Sequence, residues 1–192
     1  MDAYSRWTSI SKAEAMCLDT AFEPGASVLD LGCGAGRFAV HLGARCGSYL
    51  GVDASAEMIG AARQNCPELA FVVSDVVEFA CEPASYDLVL LMGNVLDCLH
   101  PVARRARLLD RCATWMKPRG AIIGSSHLTR PGEVRGYYAE DYHGAEVENY
   151  RSSFAEIVDE VESHGFETAL ATRDYRIRPA DWSYWVARLP VD

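Results

Sequence analysis

The segment Val28-Leu-Asp-Leu-Gly-Cys-Gly-Ala-Gly-Arg37 sets three glycines on alternate positions directly after an apolar run. Glycine takes backbone conformations that other residues resist, so the chain can turn tightly there and bring its main chain against a ligand. A helix starting at that turn leaves its first N–H groups free and adds a partial positive charge. Such a cradle suits a phosphate, a carboxylate or a nucleoside. A dinucleotide site closes with a small third residue where helix and strand touch, but Gly32-x-Gly34-x-x is followed here by Arg37. Asp30 precedes the glycines, where it repels a pyrophosphate and suits a cationic amino group. The loop matches an amino-acid-bearing nucleoside better than a nicotinamide dinucleotide.

Two more acids fall where neighbouring strands should end. Asp53 comes 21 residues after Gly32, a spacing at which an acid accepts hydrogen bonds from both ribose hydroxyls. Asp75 follows a third apolar run and is placed to accept from an exocyclic adenine amine. Taken singly, an aspartate after a strand is a turn residue or a helix cap. Taken together behind the glycine loop, the two acids complete a nucleoside site at the carboxyl ends of parallel strands, where open α/β sheets bind ligands.

These side chains meet only if the elements that carry them lie side by side. Apolar runs alternate with amphipathic stretches, the pattern of a parallel sheet with helices on both faces. Ser11-x-x-Glu14 is a capping box that opens a helix ending before Pro24-Gly25. Strands are expected over 27–31, 49–53, 70–74, 87–92 and 121–125. Helices are expected after Gly36 through about Cys46, between Ser55 and Pro67, over about 102–116, and from a second capping box, Ser153-x-x-Glu156, to Gly165. Extended segments at 167–172 and 182–189 are too closely joined for a crossover helix and should pair antiparallel. Residues 127–152, polar and rich in tyrosine, break the rhythm. The expectation is a single domain over 1–192 with an insertion at about 127–152.

With these motifs in place, the chain resembles a class I S-adenosylmethionine-dependent methyltransferase of the small-molecule type over nearly all its length. Val28–Gly36 is similar to the family's first motif, Gly51-Val-Asp53 to the acidic second and Ser74-Asp75 to the third. Tyr86-Asp-Leu-Val-Leu-Leu91 is similar to the fourth strand, and Met116-Lys-Pro-Arg-Gly120 to the turn before strand five. The resemblance implies a Rossmann-like, doubly wound, seven-stranded α/β sheet of order 3-2-1-4-5-7-6 with strand 7 antiparallel. It implies S-adenosyl-L-methionine as cofactor and S-adenosyl-L-homocysteine as product. By position, Gly32, Gly34 and Gly36 would cradle the methionine part, with Asp30 near its amino group and Asp53 on the ribose. Met58 would pack on the adenine, and Asp75 and the backbone of Val76 would read its edge. Gly93 and Asn94 would line the floor near the sulfonium, and Cys33, Ala54 and Ser74 complete the cofactor-binding set. The chain departs from the family in having only about 27 residues before the first motif, so cover from Tyr4, Arg6 and Trp7 is short.

A sulfonium methyl is already activated, so aligning donor and acceptor supplies much of the rate. An acceptor with a proton to lose also needs a base. The candidates are His127 at the end of strand five, the first choice, then His100 after strand four and His143 in the inserted stretch; each competes with a purely structural role. The stretch 127–152 is the expected substrate cap, with Tyr137, Tyr138 and Arg135, together with Tyr4 and Trp7, as candidate substrate contacts; the alternative is a surface helix bearing ordinary tyrosines. Asn/Asp-Pro-Pro-Tyr, which in this family accompanies methylation of planar nitrogens, is replaced by Gly93-Asn-Val-Leu96. That points to a hydroxyl, carboxyl or aliphatic amine acceptor.

Bulk properties narrow the classes further. At 192 residues, 49% apolar and 23% charged, the chain has the balance of one globular domain. Its net charge of −9, from 18 basic and 27 acidic side chains, disfavours a nucleic-acid partner, which needs a basic face. The one basic stripe, Arg104, Arg107 and Arg111, is expected to be a solvated helix face. Seven cysteines, odd in number and without a C-x-x-C pair, suggest buried thiols in a reducing compartment and no metal site. With no apolar run of spanning length and no secretory layout at the N-terminus, a cytoplasmic protein without a membrane partner is expected. A small-molecule methyl acceptor is the favoured partner, and a homodimer stays open. Competing readings are methylation of a protein or RNA, a non-catalytic cofactor-binding module, and an NAD-dependent oxidoreductase, which wants a small residue at position 37.

Overall fold

The computed structural model describes residues 9–142, 145–174 and 182–190. Helix α1 (Lys12–Ala21) opens on the Ser11–Glu14 capping box, with both reciprocal hydrogen bonds formed. There follow β1 (Ser27–Leu31), α2 (Arg37–Leu42), β2 (Ser48–Asp53), α3 (Ala56–Asn65), β3 (Ala70–Val73), β4 (Tyr86–Leu91), α4 (Ala103–Trp115) and β5 (Met116–His127). The second half carries β6 (Gly136–Tyr142), β7 (Ala145–Arg151), α5 (Phe154–Ser163), β8 (Glu167–Asp174) and β9 (Trp182–Arg188). The second capping box, Ser153 with Glu156, opens α5.

Seven strands form one sheet in the order β3-β2-β1-β4-β5-β9-β8. The pairs β1–β2, β1–β4, β2–β3 and β4–β5 are parallel. Strand β9 runs antiparallel to both β5 and β8. This is the order expected from sequence, with β8 and β9 as the sixth and seventh strands. The sheet separates two apolar cores. Val28, Phe38, Leu42, Ile59 and Leu90 lie in the one beneath α1, α2 and α3, and Leu29, Leu31, Leu108, Ile122 and Val161 in the one beneath α4 and α5. Tyr184 and Trp185 on β9 are core residues, each 2% exposed.

Two local expectations change. Helix α2 stops at Leu42 rather than near Cys46, with Gly43 as its C-cap. Strand β5 begins at Met116: Tyr86 already pairs with Met116, and a register shift before Leu88↔Ala121 absorbs Lys117–Gly120 as an irregularity inside the strand. Residues 127–152, which break the rhythm of the chain, carry a separate two-stranded sheet, β6–β7, pairing Gly136↔Arg151 through Tyr142↔Ala145, and no helix among the described residues. Its base is stitched to the main body: Tyr150 N–H donates to the Asp97 carbonyl at 2.8 Å and Thr129 N–H to the Ser152 carbonyl at 3.0 Å.

Candidate active site

The carboxyl ends of β1 and β2 build the first half of the site. After β1 the Gly32 and Cys33 N–H groups both donate to the Val52 carbonyl, at 2.7 and 3.1 Å, which folds the glycine loop back over β2. Gly34, with φ 53°, then turns its N–H to Asp53 Oδ2 at 2.9 Å. Asp53 Oδ1 accepts from Ser55 N–H at 2.8 Å, so each carboxylate oxygen keeps a lone pair for another donor. A Cβ placed on Gly34 or on Gly93, at the ends of adjacent strands β1 and β4, would meet nothing within 4 Å. The two glycines therefore open space above the sheet edge. Gly32 is tight instead: a Cβ there would lie 2.4 Å from Val95 Cγ2.

Asp30 is 1% exposed and accepts a 2.5 Å hydrogen bond from the Tyr49 hydroxyl on β2. Burial pushes its pKa up to about 7, against the pull of the Tyr49 hydrogen bond and the Arg37 charge and with a further push from Asp53. Arg37, at the position that denies a dinucleotide its small residue, pairs with buried Glu14 of α1 at 2.7 Å. Cys33 is buried, and its thiol is pushed up by desolvation and the nearby carboxylates. Met58, half-buried on α3, donates its N–H to Ser55 Oγ, while Ala54 is exposed.

Asp75 follows β3 with Ser74, whose hydroxyl donates to the Asp75 carbonyl at 3.1 Å, and buried Val76. Its carboxylate is held by Arg104 of α4, which reaches both oxygens at 2.6 Å. Val77 N–H takes a second lone pair of Oδ1 at 2.8 Å, leaving one on Oδ2. The Arg104 hydrogen bond is the chief reason the Asp75 carboxyl sits below the usual range. The basic stripe is thus not simply solvated. Arg107 lies 3.3 Å from Glu78 and Arg111 donates to the Phe79 carbonyl, because α4 packs beside the acidic turn that follows β3.

The second half of the site lies past β4 and β5. Ser125 Oγ accepts from the Gly93 and Asn94 N–H groups at 3.0 and 3.3 Å. The Asn94 Nδ2 stands 3.0 Å from His127 Nε2. Asp97 Oδ2 accepts from His127 N–H at 2.6 Å and lies 3.3 Å from its Nδ1, while Oδ1 takes Arg105 Nη1 at 3.2 Å. Arg105, 1% exposed, also forks onto both Glu160 oxygens at 2.8 and 2.6 Å and lies over the Tyr150 ring. Of the candidate bases, His127 joins this buried edge, whereas His100 is exposed and packs on Tyr137. His143, Tyr4 and Trp7 lie outside the described residues.

The candidate substrate contacts are partly committed elsewhere. The Tyr137 hydroxyl donates to the Leu99 carbonyl at 2.5 Å and the Tyr138 hydroxyl to the Val134 carbonyl at 2.6 Å. Arg135 is 65% exposed and stands 3.8 Å from Glu156. Arg151 is buried against Glu133 at 2.7 Å, so it is not presented to an anionic ligand. Sequence reasoning missed Tyr49, Asp97 and Arg105. The signals were present: Asp97 interrupts the apolar run Val95–Leu99, and Arg105 lies three, four and seven residues before Leu108, Leu109 and Cys112, on the buried face of α4.

Comparison with known proteins agrees with this arrangement. A family profile described as a methyltransferase domain matches residues 28–120, the stretch from β1 into β5. Over 125 residues the chain is 34% identical to the ribosomal protein L11 methyltransferase of Burkholderia cenocepacia. That match takes in 64% of this chain but 39% of the relative, so the chain corresponds to about two fifths of that protein's length. Among solved structures, an S-adenosylmethionine-dependent methyltransferase from Listeria monocytogenes superposes with TM-score 0.76 at 18% identity, covering 93% of this chain and 98% of that one. The 1,6-didemethyltoxoflavin N1-methyltransferase of Burkholderia thailandensis, solved with its substrate and S-adenosylhomocysteine, superposes with TM-score 0.77 at 22% identity, covering 99% and 79%. Sheet order, glycine loop, companion acids and matched segment agree: residues 28–120 match a methyltransferase domain, and the fold is that of S-adenosylmethionine-dependent methyltransferases.

Proposed function

We propose that this chain transfers the methyl group of S-adenosylmethionine to a small molecule bearing a hydroxyl, carboxyl or amine. The convergence of the open Gly34 loop with Asp53, whose two oxygens each keep a lone pair, carries the reading. The residues fit the cofactor as well as they fit each other. Asp30 offers a carboxylate near the amino end, Asp53 acceptors for two ribose hydroxyls, and Asp75 one remaining lone pair for an adenine amine. When bound, S-adenosylmethionine supplies a methyl already activated on sulfur. The chain's own part is to orient the acceptor against it and to exclude water.

A small acceptor is supported over RNA by the net charge of −9 and by the pairing of Arg104 with Asp75 and of Arg107 with Glu78, which offsets two of the three charges of the basic stripe. The β6–β7 hairpin, docked on the Asp97 loop, would act as the cap of a single domain. A protein acceptor is the second reading, favoured by the L11 methyltransferase relative. The test is calorimetry with S-adenosylmethionine, S-adenosylhomocysteine and NAD. The first two should bind and NAD should not. Asp53→Ala should weaken S-adenosylhomocysteine by about 100-fold or more, since hydrogen bonds to a charged group contribute about 1.5–3 kcal/mol each. Undiminished binding by that variant would remove the assigned pocket.

A further inference from the structure

We propose that the side-chain oxygen of Asn94 receives a hydrogen bond from the methyl acceptor, and that Asp97 and His127 hold the amide in the orientation this requires; the inference rests on the methyl-transfer reading. Asn94 is 8% exposed and sits in the left-handed region at φ 65°, held there with both its own N–H and that of Gly93 on Ser125 Oγ. Its Oδ1 is buried and has no hydrogen-bond partner among the described residues. Buried acceptors in folded proteins are nearly always satisfied, so an orphan beside a binding hollow marks a position that a ligand completes. The neighbouring Gly93 is exposed, with open space where its side chain would be.

The amide can face the imidazole with either end, and its neighbours decide which. Asp97 Oδ2 lies 3.3 Å from His127 Nδ1 and also accepts the His127 backbone N–H at 2.6 Å. The Asp97 carboxylate, 3.3 Å from Nδ1 without hydrogen-bond geometry, favours by its charge the ring proton on that nitrogen and a lone pair on Nε2. Nε2 then accepts from Asn94 Nδ2 at 3.0 Å, which turns Oδ1 away from the ring. Asp97 is itself fixed by Arg105 at 3.2 Å, and Arg105 by its fork on Glu160 of α5. The imidazole and Asp97 act through Asn94 and are positioning residues. An acceptor read by a carbonyl oxygen must bring an N–H or O–H. This narrows the class to amines and hydroxyls, because an ionised carboxylate has no hydrogen to donate and would meet the oxygen repulsively.

The experiment has two arms on the intact protein. In the first, transfer of labelled methyl from S-adenosylmethionine is measured against a panel of small primary amines, phenols, alcohols and carboxylic acids, with parent, Asn94→Ala and His127→Gln. Label should enter amines or hydroxyl compounds. Asn94→Ala should raise KM for the accepted probe about tenfold or more, with the Kd for S-adenosylhomocysteine within about twofold of the parent. His127→Gln should act on KM in the same direction and leave the pH profile of kcat in place. Methylation of the carboxylic acids overturns the proposal. So does weakened S-adenosylhomocysteine binding in Asn94→Ala, which would give the oxygen to the cofactor. Loss of the pH limb of kcat in His127→Gln, the mark of a base, would overturn it as well. The second arm records nitrogen-15 imidazole shifts of His127 in the S-adenosylhomocysteine complex, where the proposal requires the Nδ1–H form and an Nε2–H form refutes it. Failure of S-adenosylhomocysteine to bind would defeat the methyl-transfer reading itself, while the His127 tautomer in the free protein would still decide the positioning claim.

Discussion

Cofactor binding should depend on pH through Asp30. Its carboxyl is 1% exposed and its pKa is raised to about 7, mainly because burial strips water from the charged form. If the cationic amino group of the cofactor docks beside it, the ionised form is the one that binds. The ionised fraction then falls about tenfold between pH 8 and pH 6, so S-adenosylhomocysteine should bind about tenfold more weakly at the lower pH, about 1.4 kcal/mol. Folding stability should run the other way. An unfolded aspartate titrates near 3.9, below its folded value, so the neutral carboxyl favours the native state. That contribution is whole below about pH 4 and fades as pH climbs to about 7, a loss of roughly 4 kcal/mol. Removing the Tyr49 hydrogen bond, which holds the value down, should move both transitions to higher pH in Tyr49→Phe. Asp30→Asn should flatten both curves and gain stability at pH 8. Calorimetric titrations and urea melts between pH 5.5 and 8.5 read the two effects. Affinity that stays level across that range in the parent, or a slope that survives in Asp30→Asn, would refute the reasoning.

Two further outcomes concern the framework. Arg105→Ala leaves the buried Asp97 carboxylate and Glu160 without their shared guanidinium, so unfolding free energy from urea melts should fall by about 3–5 kcal/mol; a change under about 1 kcal/mol would mean that the acids find other partners. Gly124→Ala would drive a Cβ to 2.0 Å from Trp185 Cζ2, so it should lower the melting temperature sharply, and Trp185→Leu in the same chain should restore much of it if the clash is the cause.

The glycine-loop half of the candidate site was legible because its parts are local. A strand, three glycines and an acid at the next strand end are each written in a few adjacent letters, and parallel order then brings Gly34, Asp53 and Gly93 together. The capping boxes at Ser11 and Ser153 were readable for the same reason. The half around His127 was not, because its contacts join residues far apart in sequence. His127 could be named from the end of β5, but its partners Asn94 and Asp97 precede it by about 30 residues, and Glu160 follows Arg105 by 55. The basic stripe misled because helical spacing predicts which residues share a face, not what packs against it: Asp75 and Glu78 reach α4 only after β3 is in place. The hairpin at 136–151 lacked a short glycine turn and a clean alternation, since Tyr137 and Tyr150 on one side and Asn149 and Arg151 on the other are all at least partly covered.

That hairpin is attached unevenly, and the asymmetry matters for how the protein can change. Its inner rungs, Gly136↔Arg151 and Tyr137↔Tyr150, are bolted to Glu133, Leu99 and Asp97, whereas an outer rung such as Ala139↔Glu148 stands in water. Exchanges at Ala139 or Glu148 therefore disturb little that the fold depends on, while exchanges at the root disturb the same loop that carries Asn94. Evolution, or a designer, can rewrite a rung such as Ala139↔Glu148 far more freely than the root beneath it.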